Sequence, residues 1–273
     1  MSKKTGKRII AILSIASLLS LGTGCVSESP TAPEEHGQAP TLPPAEKLDF
    51  DFSFFGDSPE KTLDEATKLN FLNAVVRVAA ISVISRLVIT PPVAAFALAL
   101  HTIPSPQPDG SWIWVYTFVS GAEEAQIRLR GKHEGDHTDW ALRITALHEN
   151  PPVENELWFD GQTWEEGETG SWTFYDFTRE GAPAVATLEW DNDEYSEELV
   201  FTDLDENPGN ELAYRSSGSD CAITLYDDAE GETWFIQWNE EDGTGSLRVP
   251  DYRGGAEACW DENKDDIDCT PAL

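Results

Sequence analysis

Short hydrophobic runs separated by turn residues dominate the chain from Asp109 to its end. Segments rich in Trp, Phe, Tyr, Val and Thr alternate with Gly, Asp and Asn about every 8 to 14 residues. This spacing is typical of antiparallel strands joined by tight turns. The pattern predicts about ten or eleven strands in a meander over residues 109–273.

The strand region contains a weak internal repeat. GSWIWVYTF begins at Gly110 and GSWTFYDF at Gly170, while NELWF at Asn155 matches NELAY at Asn210. A third, shorter copy begins with GETWFIQW at Gly231. Each copy holds about four predicted strands, and chance similarity among Trp-rich strands is the alternative explanation.

Residues 58–103 follow a different, helical pattern. Ser58 followed by Pro59 is typical of a helix start, and the stretch after Lys68 is apolar on nearly all sides. Such a helix is normally enclosed by the rest of its own protein. The predicted fold class is therefore mainly β with an N-terminal hydrophobic helix, in which a large curved antiparallel sheet or incomplete barrel packs around that helix.

This apolar stretch is interrupted before it reaches the length of a membrane span. Arg77, Arg86 and the pair Pro91–Pro92 divide it, and no uninterrupted apolar segment attains the roughly 18 residues that a span requires. We expect a helix to about Thr90, a break at the prolines, and a short second helix that ends before Pro104.

The first 24 residues have the pattern of a secretory signal peptide. A basic start is followed by the apolar run IIAILSIASLLSLG and by small residues. A charged region, a short apolar region and small residues before a cleavage point together direct export. The basic residues that would leave with this peptide are Lys3, Lys4, Lys7 and Arg8.

The sequence LGTGC at the end of this peptide resembles the lipobox of bacterial lipoproteins. The resemblance covers only about the first tenth of the chain. It implies that Cys25 becomes the first residue of the mature protein and carries a lipid anchor to the membrane. Val26 in place of Asp implies the outer membrane, facing the periplasm or the cell surface. The alternative is a secreted protein cleaved near Gly24 without a lipid.

Residues 25–57 are rich in Pro, Ser, Thr and Glu. This composition is typical of an extended, disordered linker. We therefore expect a tether over residues 25–57 and one domain over residues 58–273, with a helical part at 58–103 and a sheet at 109–273.

The charge of the chain excludes one class of partner. The signal peptide removes four basic residues, which leaves 14 Lys and Arg against 50 Asp and Glu. So acidic a surface repels nucleic acids, whereas ten Trp and twelve Phe indicate a packed core. The excess of acid and the scarcity of Lys resemble proteins of salt-loving bacteria, because about 1 M salt shortens the Debye length to about 3 Å and screens the repulsion.

The segment HEGDH, from His133 to His137, matches the H-E-x-x-H pattern of zinc proteases. That chemistry needs both His side chains on one face of a helix, with Glu134 as the base. Gly131 and Gly135 interrupt the segment, and strand-like residues flank it on both sides. We interpret it as the tip of a hairpin.

Two acidic segments are candidate calcium loops, which present oxygen ligands at alternate residues. One is formed by Asp203, Asp205 and Asn207, where a following Pro208–Gly209 favours a β-turn instead. The other set is Asp261, Asn263 and Asp265. It lacks the Gly and Glu of a calcium loop at positions six and twelve, so calcium is expected at most as a surface guest, and no other cofactor is predicted.

Export to an oxidising compartment favours disulfides. If Cys25 carries lipid, three thiols remain, and sequence alone permits any of three pairings. Cys259–Cys269 closes the shortest loop and would tie down the C-terminus, so we predict this pairing. Cys221 begins the strand-like run CAITLY, where a buried thiol acts as a small apolar side chain.

Two functional interpretations remain open. The first is a non-enzymatic, membrane-anchored envelope protein with a structural or ligand-binding role, whose ligand could be a hydrophobic small molecule. The second is a secreted hydrolase that acts on polysaccharide through Trp platforms and a pair of acidic residues, or a carbohydrate-binding module. A helix that fills the concavity of the sheet would leave no site for a hydrophobic ligand. An open, Trp-lined groove with two facing carboxylates would instead support the polysaccharide interpretation.

Overall fold

The computed structural model describes residues 37–44, 48, 50–56, 67–120, 123–147 and 152–269, and for residues 83–95, 118–120 and 123 it describes the backbone alone. Its helices are α1 (Ser53–Gly56) and α2 (Leu69–Ala99), with single 3-10 turns at Glu165–Gly167 and Arg253–Gly255. The signal peptide, Cys25 and the predicted helix start at Ser58 lie outside the described residues.

Fourteen antiparallel strands form the sheet of the described chain. They are β1 (Ser105–Pro106), β2 (Trp112–Ser120), β3 (Glu123–Glu134), β4 (His137–Ala146), β5 (Val153–Trp164), β6 (Thr169–Tyr175), β7 (Ala184–Asn192), β8 (Ser196–Asp203), β9 (Glu211–Ser217), β10 (Asp220–Asp227), β11 (Glu232–Asn239), β12 (Gly245–Arg248), β13 (Ala258–Trp260) and β14 (Asp266–Ile267).

The strands pair in sequence order, so the predicted antiparallel meander is confirmed. The predicted number of ten or eleven strands is too low. The structure adds β1, β13 and β14, which have only two or three residues each. Such short strands produce no readable alternation in the sequence, because a period of two needs several residues to show. The sheet does not close, and β1 and β14 are its two edges.

The repeat corresponds to groups of four strands in its first two copies. GSWIWVYTF leads into β2 and GSWTFYDF into β6, while NELWF lies in β5 and NELAY in β9. The third copy is out of phase, because GETWFIQW forms β11, five strands after β6.

Trp and Gly residues alternate across neighbouring strands on the inner face, the face on which α2 packs. Gly131 is opposite Trp140, Gly161 lies between Trp140 and Trp172, and the same pairing recurs at Gly170–Trp190 and Gly245–Trp260. A Cβ atom on Gly131 would lie 2.7 Å from Cζ3 of Trp140. The indole ring fills the space that the absent side chain leaves, which fixes the register of these strands.

Helix α2 crosses the strands of the inner face. Phe71, near its start, packs against Trp260 on β13, with ring centroids 5.6 Å apart. Phe96, near its end, stacks on Trp172 of β6 at 5.1 Å. The 25 residues between them span about 38 Å of helix, which matches the roughly 34 Å that separates strands seven positions apart.

The predicted break at Pro91–Pro92 is wrong, because α2 is a single helix that continues through both prolines to Ala99. Arg77 lies on the sheet side of the helix, donates to the carboxylate of Asp251 at 2.6 Å and covers the Trp234 ring at 5.4 Å. Among the helices of the described chain, none combines the length and apolar character of a membrane span.

The described part of the predicted tether is packed on the sheet, which corrects the expectation of an extended linker for those residues alone. We call residues 37–44, 48 and 50–56 the N-terminal segment. Leu48 is fully buried, and the Phe50 ring contacts Tyr214 on β9. The Phe55 ring contacts Trp238 on β11, with ring centroids 4.9 Å apart. Aromatic side chains drive this packing, because each buries a large apolar area.

Candidate functional site

The predicted disulfide is confirmed. Cys259 and Cys269 are bonded, with their Cα atoms 5.3 Å apart, and Cys221 is a buried thiol on β10. Burial raises the pKa of the Cys221 thiol to about 11. A thiol with this pKa stays protonated at neutral pH and is a poor nucleophile, so Cys221 has the character of a core residue.

The predicted calcium ligands near the C-terminus form the turn between β13 and β14. One carboxylate oxygen of Asp261 accepts from the backbone N–H groups of Asn263 and Asp265, both at 2.9 Å. The Lys68 ammonium contacts the Asn263 carbonyl and lies 3.6 Å from the Asp265 carboxylate. These oxygens serve the chain's own donors, and the loop joins the C-terminus to the start of α2.

The other predicted calcium ligands form the turn between β8 and β9, as the Pro208–Gly209 pair indicated. The Asp203 carboxylate accepts from the backbone N–H groups of Asp205 at 2.7 Å and Asn207 at 3.1 Å. Arg179 binds both carboxylate oxygens of Asp205 at 2.9 Å. The positive charge of a guanidinium already occupies this acidic loop.

The HEGDH segment is the tip of the β3–β4 hairpin, as predicted. His133 pairs with Thr138, and Glu134 pairs with His137. Paired residues of antiparallel strands share a face, and successive residues alternate between faces. The two imidazoles therefore point to opposite sides of the sheet, which is incompatible with the zinc-protease arrangement on a helix.

A cleft of about 170 Å³ lies beside this hairpin, and we call it the His137 cleft. The β3–β4 turn, the end of β5, the following 3-10 turn and the N-terminal segment all contribute to it. Its lining residues are Thr41, His133, Gly135, Asp136, His137, Thr138, Thr163, Trp164, Glu165 and Glu166. The residues that border the cleft thus include a Trp, several acids, two Thr and two His, with His133 and His137 on opposite faces of the hairpin.

The His137 imidazole is held by acidic and amide neighbours. Its Nδ1 lies 3.0 Å from the Asp136 carboxylate, and its Nε2 lies 3.4 Å from Asp139 and from the Gln162 amide. The hydrogen bond with Asp136 raises the pKa of His137. The Trp164 ring lies 5.8 Å from the imidazole, centroid to centroid.

The cleft also contains unusual backbone. Glu165 and Glu166 both adopt left-handed φ values, 50° and 60°. Non-Gly residues rarely adopt this conformation, and it persists only where the surrounding structure imposes it. Here it turns the chain sharply between β5 and β6, so that Glu165 and Glu166 border the cleft beside Trp164.

A second cavity, of about 360 Å³, lies at one end of strands β8–β10, and we call it the Arg215 groove. Glu198 binds the Arg215 guanidinium with Nε–Oε1 at 2.9 Å. Asp191, Asp220 and Gln237 also line the groove. Since the guanidinium is already paired, the groove presents mainly carboxylates and hydroxyl groups to solvent.

One group of side chains in the described chain has metal-ligand geometry: Glu257, Cys259 and Cys269. Its two sulfur atoms form the disulfide and so cannot act as thiolate ligands. This group therefore lacks the donors that a metal site requires.

The sequence pointed to only part of the His137 cleft. HEGDH marked His133 and His137, whereas no motif marked Trp164, Glu165 and Glu166. The available signal was the run WEEGETG, in which two acids and a Gly directly follow a strand. Comparisons with protein-family models, curated proteins and solved structures found no match.

Proposed function

We propose that the protein is an exported lipoprotein, anchored to the outer membrane through Cys25, that acts by binding a polar ligand in the His137 cleft. The ligand class that suits the cleft is a saccharide. An indole ring can pack against the face of a sugar. Carboxylates accept hydrogen bonds from sugar hydroxyl groups, and imidazoles can donate or accept them.

The position of the Trp side chains carries this proposal. Six of them are core residues with at most 3% exposure: Trp114, Trp140, Trp172, Trp190, Trp238 and Trp260. They cannot form a sugar platform. Trp164, in contrast, borders a cleft together with polar residues, so an aromatic ring and hydrogen-bonding groups lie near one another, as recognition of a sugar requires.

A hydrophobic ligand has less support. It would have to lie on the inner face, where Phe96 packs on Trp140 and Trp172, and where Phe55 packs on Trp238. Helix α2 and the N-terminal segment already cover these positions. We therefore propose a polar ligand and a non-enzymatic role.

The ligand proposal is tested with a panel of envelope polysaccharide fragments and the full chain, by native mass spectrometry. We expect at least one fragment to bind the wild type and to lose about tenfold or more in affinity with Trp164→Ala, because stacked aromatic contacts contribute one or more kcal/mol. Tyr195→Ala is the matched control, since Tyr195 is 73% exposed and is not among the residues that line the cleft. Equal binding by both variants, or no bound fragment, would refute a saccharide site.

The anchor is tested separately. Mass spectrometry of the mature N-terminal peptide is expected to show acyl groups on Cys25, and Cys25→Ala is expected to give an uncleaved or soluble product. A Cys25→Ala protein that still partitions with processed membrane lipoproteins would contradict the proposal.

We further propose that the acidic surface is suited to a saline medium. Without its signal peptide the protein has 14 Lys and Arg against 50 Asp and Glu, and screening of this self-repulsion stabilises the compact state. Raising NaCl from about 0.1 M to about 1 M is expected to raise Tm in a thermal melt. A flat or falling Tm would contradict this adaptation.

A further inference from the structure

Strand β2 is the longest uncovered edge of the sheet. On the side away from β3, strand β1 pairs only with Trp112 and Ile113. β1 begins at Ser105, and the preceding Pro104 has no N–H group with which to extend the ladder along β2. Within the described chain, no strand pairs with β2 beyond Ile113 on this side.

The backbone groups that face this open side can be assigned from the β1–β2 contacts. The N–H of Gln107 donates to the carbonyl of Ser111 at 2.8 Å, so the pair Ser105–Ile113, two residues further, is also a hydrogen-bonded pair. Backbone groups alternate sides along a strand, so those of Val115, Thr117 and Val119 point to the open side.

This edge has none of the usual protection against strand addition. Natural edges carry Lys, Pro, bulges or inward charges. The β2 sequence WIWVYTFVS has no charged residue and no Pro. Val115 is 46% exposed and Thr117 is exposed as well. The edge is therefore long, apolar and rich in β-branched side chains, which favour pairing with another strand.

The local charge favours a second copy of the chain as the occupant. Two copies repel through a net charge of −32 each, so they can associate only where the acid is sparse. β2 is uncharged, and the charges of the adjacent strand β3 balance, with three basic residues against three glutamates. The β2 edge is thus a place where two copies meet with little like-charge repulsion.

From this geometry we propose that β2 pairs antiparallel with β2 of a second copy, around a two-fold axis at Thr117. In this register Thr117 faces Thr117 of the other copy, and residue 115 faces residue 119. All three open residues then exchange backbone hydrogen bonds. An axis at Val115 would instead place residue 117 opposite Ile113, whose backbone groups already bind β1.

Cross-linking of the full chain tests the register. In a hydrogen-bonded antiparallel pair the Cα atoms are about 5.5 Å apart, within the range of a disulfide. Thr117→Cys is expected to form a covalent dimer under mild oxidation in about 1 M NaCl, where charge repulsion is screened. Thr233→Cys is the matched control, because Thr233 is an exposed Thr on the interior strand β11, and it is expected to stay monomeric.

A second variant tests the edge without introducing a thiol. Val115→Lys places a charge on each side of the proposed contact and is expected to weaken dimerisation about tenfold or more in sedimentation velocity. The proposal is overturned if the wild type is monomeric throughout, if the two Cys variants cross-link equally, or if Thr117→Cys cross-links to a different protein. Peptide mapping of the dimer distinguishes these results.

Discussion

The two edges of the sheet are built in opposite ways. At the β14 edge the strands shorten from four residues in β12 to two in β14, and the start of α2 lies against them. At the β2 edge a nine-residue strand without charged residues has no paired strand on its outer side beyond Ile113, within the part of the chain that the structure describes. The chain itself closes the β14 edge, whereas the β2 edge is available to a partner strand. This difference is consistent with the proposed pairing of β2 with a second copy.

The β14 edge is closed by polar contacts to the start of α2. The carboxylate of Asp266 accepts from the backbone N–H of Asn70 at 2.8 Å, and the backbone N–H of Asp266 donates to the Thr67 carbonyl at 2.6 Å. The Asn70 side chain, which is fully buried, donates to the Cys259 carbonyl and accepts from the Tyr252 hydroxyl. Since the residue before the helix, Lys68, provides no side-chain cap, Asp266 satisfies this N–H group in its place.

Removal of the disulfide is expected to have the largest effect on the closed edge. Cys259→Ser combined with Cys269→Ser should lower the free energy of unfolding by roughly 2.5–3 kcal/mol, because the unfolded chain regains the entropy of an 11-residue loop. Urea unfolding measures this change. The dependence of the free energy of unfolding on urea concentration is expected to change little.

Reduction of the wild type provides the control for this prediction. Reductant should lower the stability of the wild type to that of the double Ser variant and leave the variant unchanged. A wild type whose urea midpoint does not respond to reduction would show that the β14 edge is held by its other contacts.

Loss of the cap is expected to have a smaller effect. Asp266→Ala should cost about 1 kcal/mol, since it leaves the N–H of Asn70 without its acceptor and removes a negative charge from the helix N-terminus. Urea unfolding measures the loss. The matched control is Asp268→Ala, which removes the same charge from an exposed position two residues away. Equal losses in both variants would mean that charge, and not capping, determines the effect.

The sequence predicted the features that depend on local pattern. Alternating residues predicted the long strands, Gly135 predicted the hairpin at HEGDH, and Pro208–Gly209 predicted the turn after β8. The Cys259–Cys269 pairing was also predictable, because a short loop keeps the two thiols close to each other in any fold. Each of these features is determined by residues within about a dozen positions of one another.

The features that were missed depend on distant contacts. Asp266 caps a helix that begins 197 residues earlier in the sequence, and no local pattern marks such a partner. The N-terminal segment was taken for a tether because of its Pro and Glu content, although Phe50 and Phe52 alternate with acids. That alternation is the strand-like signal of a half-buried segment, and both rings pack near Tyr214.

The smallest effect on stability is expected at the open edge. Val115→Lys should change the free energy of unfolding of the monomer by no more than about 0.5 kcal/mol, because Val115 is exposed and its backbone groups face solvent in a single copy. Urea unfolding at low protein concentration measures this term apart from association. A loss of about 1.5 kcal/mol or more under these conditions would mean that another part of the chain packs on β2. In that case the two edges would both be closed, and the edge at Thr117 would not be available to a second copy.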